Sequence, residues 1–117
     1  MTALERLLGD LAGGDEAGAE AALTQLVDMG ETAVPGLQDL SRSTDPDIRW
    51  WAVRGLATLP HAPAEWLLPF LNDPVAEVRQ CAALGLAGKP DEGAVGSLVR
   101  ALSDDDSMTA SLASNAL

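Results

Sequence analysis

Two stretches decide the fold: DPDIRWWAVRGLA, from Asp45 to Ala57, and DPVAEVRQCAALGLA, from Asp73 to Ala87. Ile48, Arg49, Ala52, Gly55, Leu56 and Ala57 of the first fall on Val78, Arg79, Ala82, Gly85, Leu86 and Ala87 of the second, 30 residues on (48 to 78). The second copy has two more residues after its Asp-Pro. Self-similarity with a period of roughly 20–50 residues is the signature of a repeat array, in which each unit is one supersecondary element that cannot bury its apolar face alone.

The repeat extends in both directions. Towards the C-terminus, Leu67, Leu71 and Asp73 fall on Leu98, Leu102 and Asp104 at an offset of 31, and Ala82 then falls on Ala113. Towards the N-terminus, Ala22, Leu26 and Met29 fall on Ala52, Leu56 and Leu59 at an offset of 30, and Ala33-Val34 recurs as Ala94-Val95. One domain of four units follows, at about 1–30, 31–60, 61–89 and 90–117.

Each unit reads as two helices, because Leu and Ala recur at spacings of three and four and no Val/Ile/Thr alternation appears. Thr2-Ala-Leu-Glu5 has the form of a capping box, and Leu4, Leu7, Leu8 and Leu11 make one apolar stripe over Thr2–Ala12 that Gly13-Gly14 ends. The next helices are expected over 15–29, 33–43, 46–59, 63–71, 74–87, 92–102 and 105–117. Asp45 and Asp73 are suited to accept the first backbone N–H groups of a helix, with Pro46 and Pro74 at the first helical position, where no N–H is required. Pro69 is the misfit: inside 63–71 it must kink the helix or delay its start. The chain ends on Leu117 with no C-cap glycine; Met108, Leu112, Ala113, Ala116 and Leu117 form an apolar stripe that suits either a polar-backed cap or the face of a longer array.

Composition narrows the function classes. The 117 residues carry 18 acidic and 7 basic side chains, a formal charge of −11. Such a charge opposes nucleic acid and anionic lipid, both held through Lys and Arg, and favours basic partners. No apolar stretch approaches a membrane span, and Glu5 and Asp10 stand where a signal peptide carries basic residues, so a cytoplasmic protein is expected. Cys81 has no second cysteine to pair with and reads as a small core residue among Ala82, Ala83 and Leu84. One Lys against six Arg, with abundant Ala, Gly and Asp, is the composition of a GC-rich bacterial gene.

Asp-Pro, then a β-branched residue and Arg, an Ala-rich helix, Gly-Leu-Ala, Ala-Val-Pro and Leu-x-x-Leu together resemble the short bacterial HEAT repeats of the phycobilisome-lyase type. The resemblance is clearest from Ala33 to Leu102. It implies an all-α fold, a right-handed α-α superhelix (an armadillo-like solenoid) of about four helix pairs. It also implies that Arg49 and Arg79 form an internal ladder with acidic groups or carbonyls, for which Asp45, Asp47, Asp73 and Glu77 are the nearby acceptors. Ala19 and Ala110 replace the arginine in the terminal units, as capping repeats would.

In such arrays the second helices line the concave face. Trp50 and Arg54 share one helical face, and Gln80 and Leu84 are their counterparts one unit on. These four are the candidate protein-binding patch, since Trp and Arg are the types enriched at binding hot spots. Trp51 aligns with Cys81 and Ala21 and is expected in the core; Trp66 suits either the core or the surface. His61 stands alone in a Leu-Pro-His-Ala-Pro loop. No catalytic set, phosphate-cradling loop, cofactor site or calcium pattern is present in the sequence, Asp104-Asp105-Asp106 reading as a helix N-terminus.

The expected function is therefore a non-catalytic scaffold that holds a protein partner, in particular a basic segment, with self-association through the end repeats as a compatible second mode. Two alternatives stand beside it: an accessory subunit or chaperone of a bilin-lyase-like enzyme, implied by the repeat subtype, and nucleic-acid binding, which the acidity disfavours.

Overall fold

In a computed structural model, residues 2–13, 15–89 and 91–117 are described. The chain divides into two compact units, Met1–Leu59 and Pro60–Leu117. Among the described residues every regular element is helical and no strand occurs.

Among its described residues the first unit holds four α-helices: α1 (Ala3–Gly13), α2 (Glu16–Met29), α3 (Val34–Leu40) and α4 (Pro46–Thr58). Their ends follow the capping residues. The Glu5 N–H donates to Thr2 Oγ1 at 3.1 Å, and the Gly18 N–H donates to Asp15 Oδ1 at 2.7 Å. Gly14, half of the break expected between these helices, lies outside the described residues. Gly30 ends α2 at φ 62°, where a side chain would be strained. A 3-10 turn over Gly30–Ala33 then leads into α3, whose first turn carries Pro35 without loss of a hydrogen bond. Asp45 Oδ1 accepts the Asp47 N–H at 2.9 Å, and Pro46 opens α4.

α1 packs on α2, α3 on α4, and α4 also reaches α1 and α2. Leu7, Leu11, Leu23, Leu26, Leu37, Val53 and Leu56 are buried between them. Each contributes about 2 kcal/mol relative to exposure in water. Ala22 and Ala52 are buried too, and Gly55 lets α4 come closer still: a Cβ there would stand 3.1 Å from both Leu23 and Leu37.

The second unit begins differently. The α-helix expected over 63–71 is replaced by two 3-10 segments, Ala64–Trp66 and Leu68–Asn72. Pro69 is the reason. It has no N–H to give to an i−4 carbonyl, and the chain settles on i−3 bonds: Trp66 N–H to the Pro63 carbonyl, Leu67 to Ala64, Phe70 to Leu67 and Asp73 to Phe70. Ala64, Leu67 and Leu71 are nonetheless buried. Then come α5 (Ala76–Ala87), a 3-10 turn (Glu92–Ala94), α6 (Val95–Ala101) and α7 (Ser107–Ala116). α5 starts two residues later than expected. Asp73 still accepts the N–H two residues on, Val75, at 2.9 Å, but Val75 is the residue that precedes the helix. The two extra residues after this Asp-Pro therefore lengthen the turn and leave the helix register intact. α5 packs on α7 and on the Leu68–Asn72 segment, and α6 packs on both of those.

The 30–31-residue period is written in the burial. Leu7, Leu37, Leu67 and Leu98 are all buried; so are Ala22, Ala52, Ala82 and Ala113, and Leu26, Leu56 and Leu86. In each column the residue type is kept because its site admits only that volume. One column breaks at its end: Leu11, Ser41 and Leu71 are buried, while Leu102 is 42% exposed.

Candidate functional site

The repeat arginines brace the turns that precede their helices. Arg49 Nη1 donates to the Ser43 carbonyl at 3.1 Å and the Thr44 carbonyl at 3.2 Å. Arg79 Nη1 donates to the Asp73 carbonyl at 2.9 Å, again six residues back. Arg79 also reaches forward to the next helix pair. Its Nη2 donates to Asp104 Oδ1 at 3.1 Å, and its Nε lies 2.9 Å from Asp104 Oδ2, in ion-pair contact rather than in an aligned hydrogen bond. Asp104 is the acidic partner that the sequence reading assigned to a helix end instead. The signal was there: Asp104 is Asp73 plus one period, and like Asp45 and Asp73 it holds the N–H two residues on, that of Asp106, at 2.8 Å. Asp45 and Asp73 each place one carboxylate oxygen, Oδ1, on those turns.

Trp50 and Arg54 are brought together on α4, with more company than expected. The rings of Trp50 and Trp51 meet edge to face, with centroids 4.9 Å apart at 85°. The Arg54 guanidinium carbon lies 5.4 Å from the Trp50 ring centre and 5.5 Å from that of Trp51, within cation–π range of both. The same guanidinium grips Glu20 of α2 through a fork, Nη1 to Oε2 at 2.6 Å and Nη2 to Oε1 at 2.8 Å. That bonding holds the Glu20 carboxyl below the usual carboxylate range. Trp51 is half-buried, not core. Its register counterparts explain this, since Cys81 is also half-buried, against the expectation of a core thiol, and Ala21 is exposed. Alignment with small residues had suggested an interior site; the column is a superficial one.

Beside the two indoles lies an open cavity of about 440 Å³. The end of α1 from Leu11 to Gly13 and the first turn of α2 at Glu16 wall one side, and Asp45, Asp47 and Ile48 at the start of α4 complete it with Trp50 and Trp51. Its volume falls in the range of small-ligand sites, roughly 300–1,000 Å³. Sequence reasoning missed this cavity because it depends on how the end of α1 and the first turn of α2 lie against the start of α4.

Gln80 and Leu84 lie one turn apart on α5, in the second unit. Gln80 Nε2 donates to Asp106 Oδ2 at 2.9 Å. With the Thr109 N–H and hydroxyl on the same oxygen, that bond holds the Asp106 carboxyl below its ordinary range. Leu84 is 62% exposed. Trp66 is half-buried and His61 exposed. Among the described residues no group of three or more His, Cys, Asp or Glu side chains is arranged to hold a metal ion, and no helix is long and apolar enough to cross a membrane.

The crystal structure of an engineered protein matches with a TM-score of 0.68 and 26% sequence identity, over 99% of this chain and 61% of that one. The two share an all-helical fold. The chain spans about three fifths of that protein's length. No protein-family profile and no curated protein matches the sequence.

Proposed function

We propose that this chain is a cytoplasmic HEAT-like repeat module, a right-handed superhelix of four helix pairs, that binds a protein partner and performs no chemistry of its own. The repeating burial columns, the repeated Asx turns at Asp45, Asp73 and Asp104, and the bracing role of Arg49 and Arg79 support the repeat assignment. The observation that carries the binding role is the Trp50–Trp51 pair. Two large aromatic rings, both only half-buried, meet beside an open cavity. Arg54, held by its bond to Glu20, lies over both rings. Leu84 of the second unit is, by itself, an exposed apolar side chain open to contact.

Affinity capture from native lysate tests the reading, with the wild type beside Trp50→Ala and Leu84→Ala and mass spectrometry of what is retained. A protein held by the wild type and lost from Trp50→Ala is the expected result. Equal retention by all three overturns the assignment of the surface.

Self-association is a second reading, favoured by α6. Val95, Val99 and Leu102, spaced as one helical stripe, are 46%, 50% and 42% exposed. A second copy stacked there would bury them. Sedimentation velocity of the wild type beside Val99→Glu decides it: a concentration-dependent dimer lost in the variant supports the stripe, and a monomer throughout removes it.

A further inference from the structure

The cavity beside Trp50 and Trp51 carries a chemistry of its own. Three carboxylates line it, Glu16, Asp45 and Asp47, and all three side chains are exposed. Among the described residues none of them is paired with a cation. Asp45 Oδ1 accepts the Asp47 N–H. The N-terminal ends of α2 and α4 offset part of this charge, about half a unit each. The C-terminal end of α1 at Leu11 to Gly13 contributes the opposite sign, and its last turn holds no basic residue. The balance at the cavity is negative. Its remaining walls are two indoles and Ile48, which suit the flat, weakly hydrated face or aliphatic stem of a basic side chain. The protein supplies an internal precedent, since Arg54 lies over the same two rings while its charge is met by Glu20.

We infer that this cavity is the seat of an arginine side chain from a basic segment of the partner protein, its guanidinium met by Glu16 and Asp47 and its stem laid against Trp50, Trp51 and Ile48. This rests on the reading that the chain binds a protein, and it names that partner's chemistry. Arginine suits the site better than lysine because its planar fork can engage two carboxylates while stacking on an indole. The shape requirement separates this from general attraction to an acidic protein: charge alone would spread a basic peptide over the surface, whereas the cavity holds one side chain at one place.

The probe is acetyl-Gly-Arg-Gly-amide, titrated into the full chain at about 150 mM salt, where exposed long-range attraction is largely screened. Its counterpart carries citrulline, which keeps the planar end and loses the charge. Nitrogen-15 NMR reads the three indole N–H groups. Saturable shifts at Trp50 and Trp51, with Trp66 still, are expected from the arginine peptide. Citrulline should bind at least about tenfold more weakly, as should the arginine peptide on the Glu16→Gln/Asp47→Asn double variant, each having lost a charge-assisted contact. No saturable shift, equal binding of citrulline, or undiminished binding to the double variant overturns the inference. The wider reading fails separately. A natural partner lost from Trp50→Ala but kept by the double variant overturns the arginine seat and leaves partner binding standing; capture of no partner overturns partner binding, and the titration still decides the cavity.

Discussion

Arg54 on α4 and Glu20 on α2 stand 34 residues apart in the chain and close a two-bond fork at 2.6 and 2.8 Å. The fork fixes a guanidinium over two indoles, so one contact sets both the spacing of two helices and the posture of the aromatic surface. A bidentate Arg–carboxylate pair is the exposed ion pair with the best geometric definition.

The pH response of this contact has a definite sign. Arg54 holds the Glu20 carboxyl below its unfolded range, so its stabilising contribution is present above the ordinary carboxylate pKa and is lost as pH falls through the lowered one. Asp106, lowered by Gln80 and Thr109, acts in the same window. The melting temperature should therefore fall on acidification below about pH 4, and fall less steeply in Glu20→Gln. Calorimetry over a pH series checks this; parallel curves for the two proteins would remove Glu20 from the account.

The Arg79–Asp104 pair is more deeply placed, with side chains only 17% and 12% exposed. Removing one partner of such a pair leaves the other charge poorly compensated, at a cost of about 3 kcal/mol. Asp104→Ala also releases the Asp106 N–H and should be the more damaging single change. Adding Arg79→Met to it should restore part of the loss, because the stranded guanidinium is gone. Urea denaturation of the three variants measures this, and additive losses would show that the pair does not act as a unit.

The columns of Leu and Ala that fill the core were legible in the sequence, because a site between helices tolerates one volume and repeats it every 30 or 31 residues. The Pro69 anomaly was legible as well, since a missing N–H is a local fact; its outcome, a helix rewritten as 3-10 turns, needed the i−3 bonds of its neighbours. What could not be read were contacts whose geometry depends on tertiary placement. Glu20 as the partner of Arg54 and the cavity at Glu16 and Asp47 each join residues that no periodicity connects, whereas Asp104, one period after Asp73, lay within reach of the repeat. Trp51 misled for a related reason: alignment with small residues reports register, and register alone does not say whether a column faces core or solvent.

Two glycines should respond to alanine in opposite directions. Gly9 sits in α1 with nothing near the position of an added Cβ, so Gly9→Ala should stabilise by about 0.5–1 kcal/mol through helix propensity. Gly55→Ala gains the same propensity, but its Cβ meets Leu23 and Leu37 at 3.1 Å, both themselves buried. Overpacking of about 1–3 kcal/mol outweighs the gain, and net destabilisation is expected. Thermal melts of the two variants give the comparison, and a stabilised Gly55→Ala would mean that α4 can move away from α2 and α3 at little cost.

Leu56 and Leu84 separate folding from function. Leu56 is buried at the heart of the first unit, so Leu56→Ala opens a cavity and should cost about 2–5 kcal/mol. Leu84, 62% exposed on α5, has little native packing to lose, and Leu84→Ala should change stability by no more than about 0.5 kcal/mol. That difference gives Leu84→Ala its value: a loss of partner affinity in a variant that melts like the wild type reports contact with the partner and nothing else. A melting temperature that falls as far for Leu84→Ala as for Leu56→Ala would instead place Leu84 within a packed interface, and the exposed apolar contact assigned to it would have to be given up.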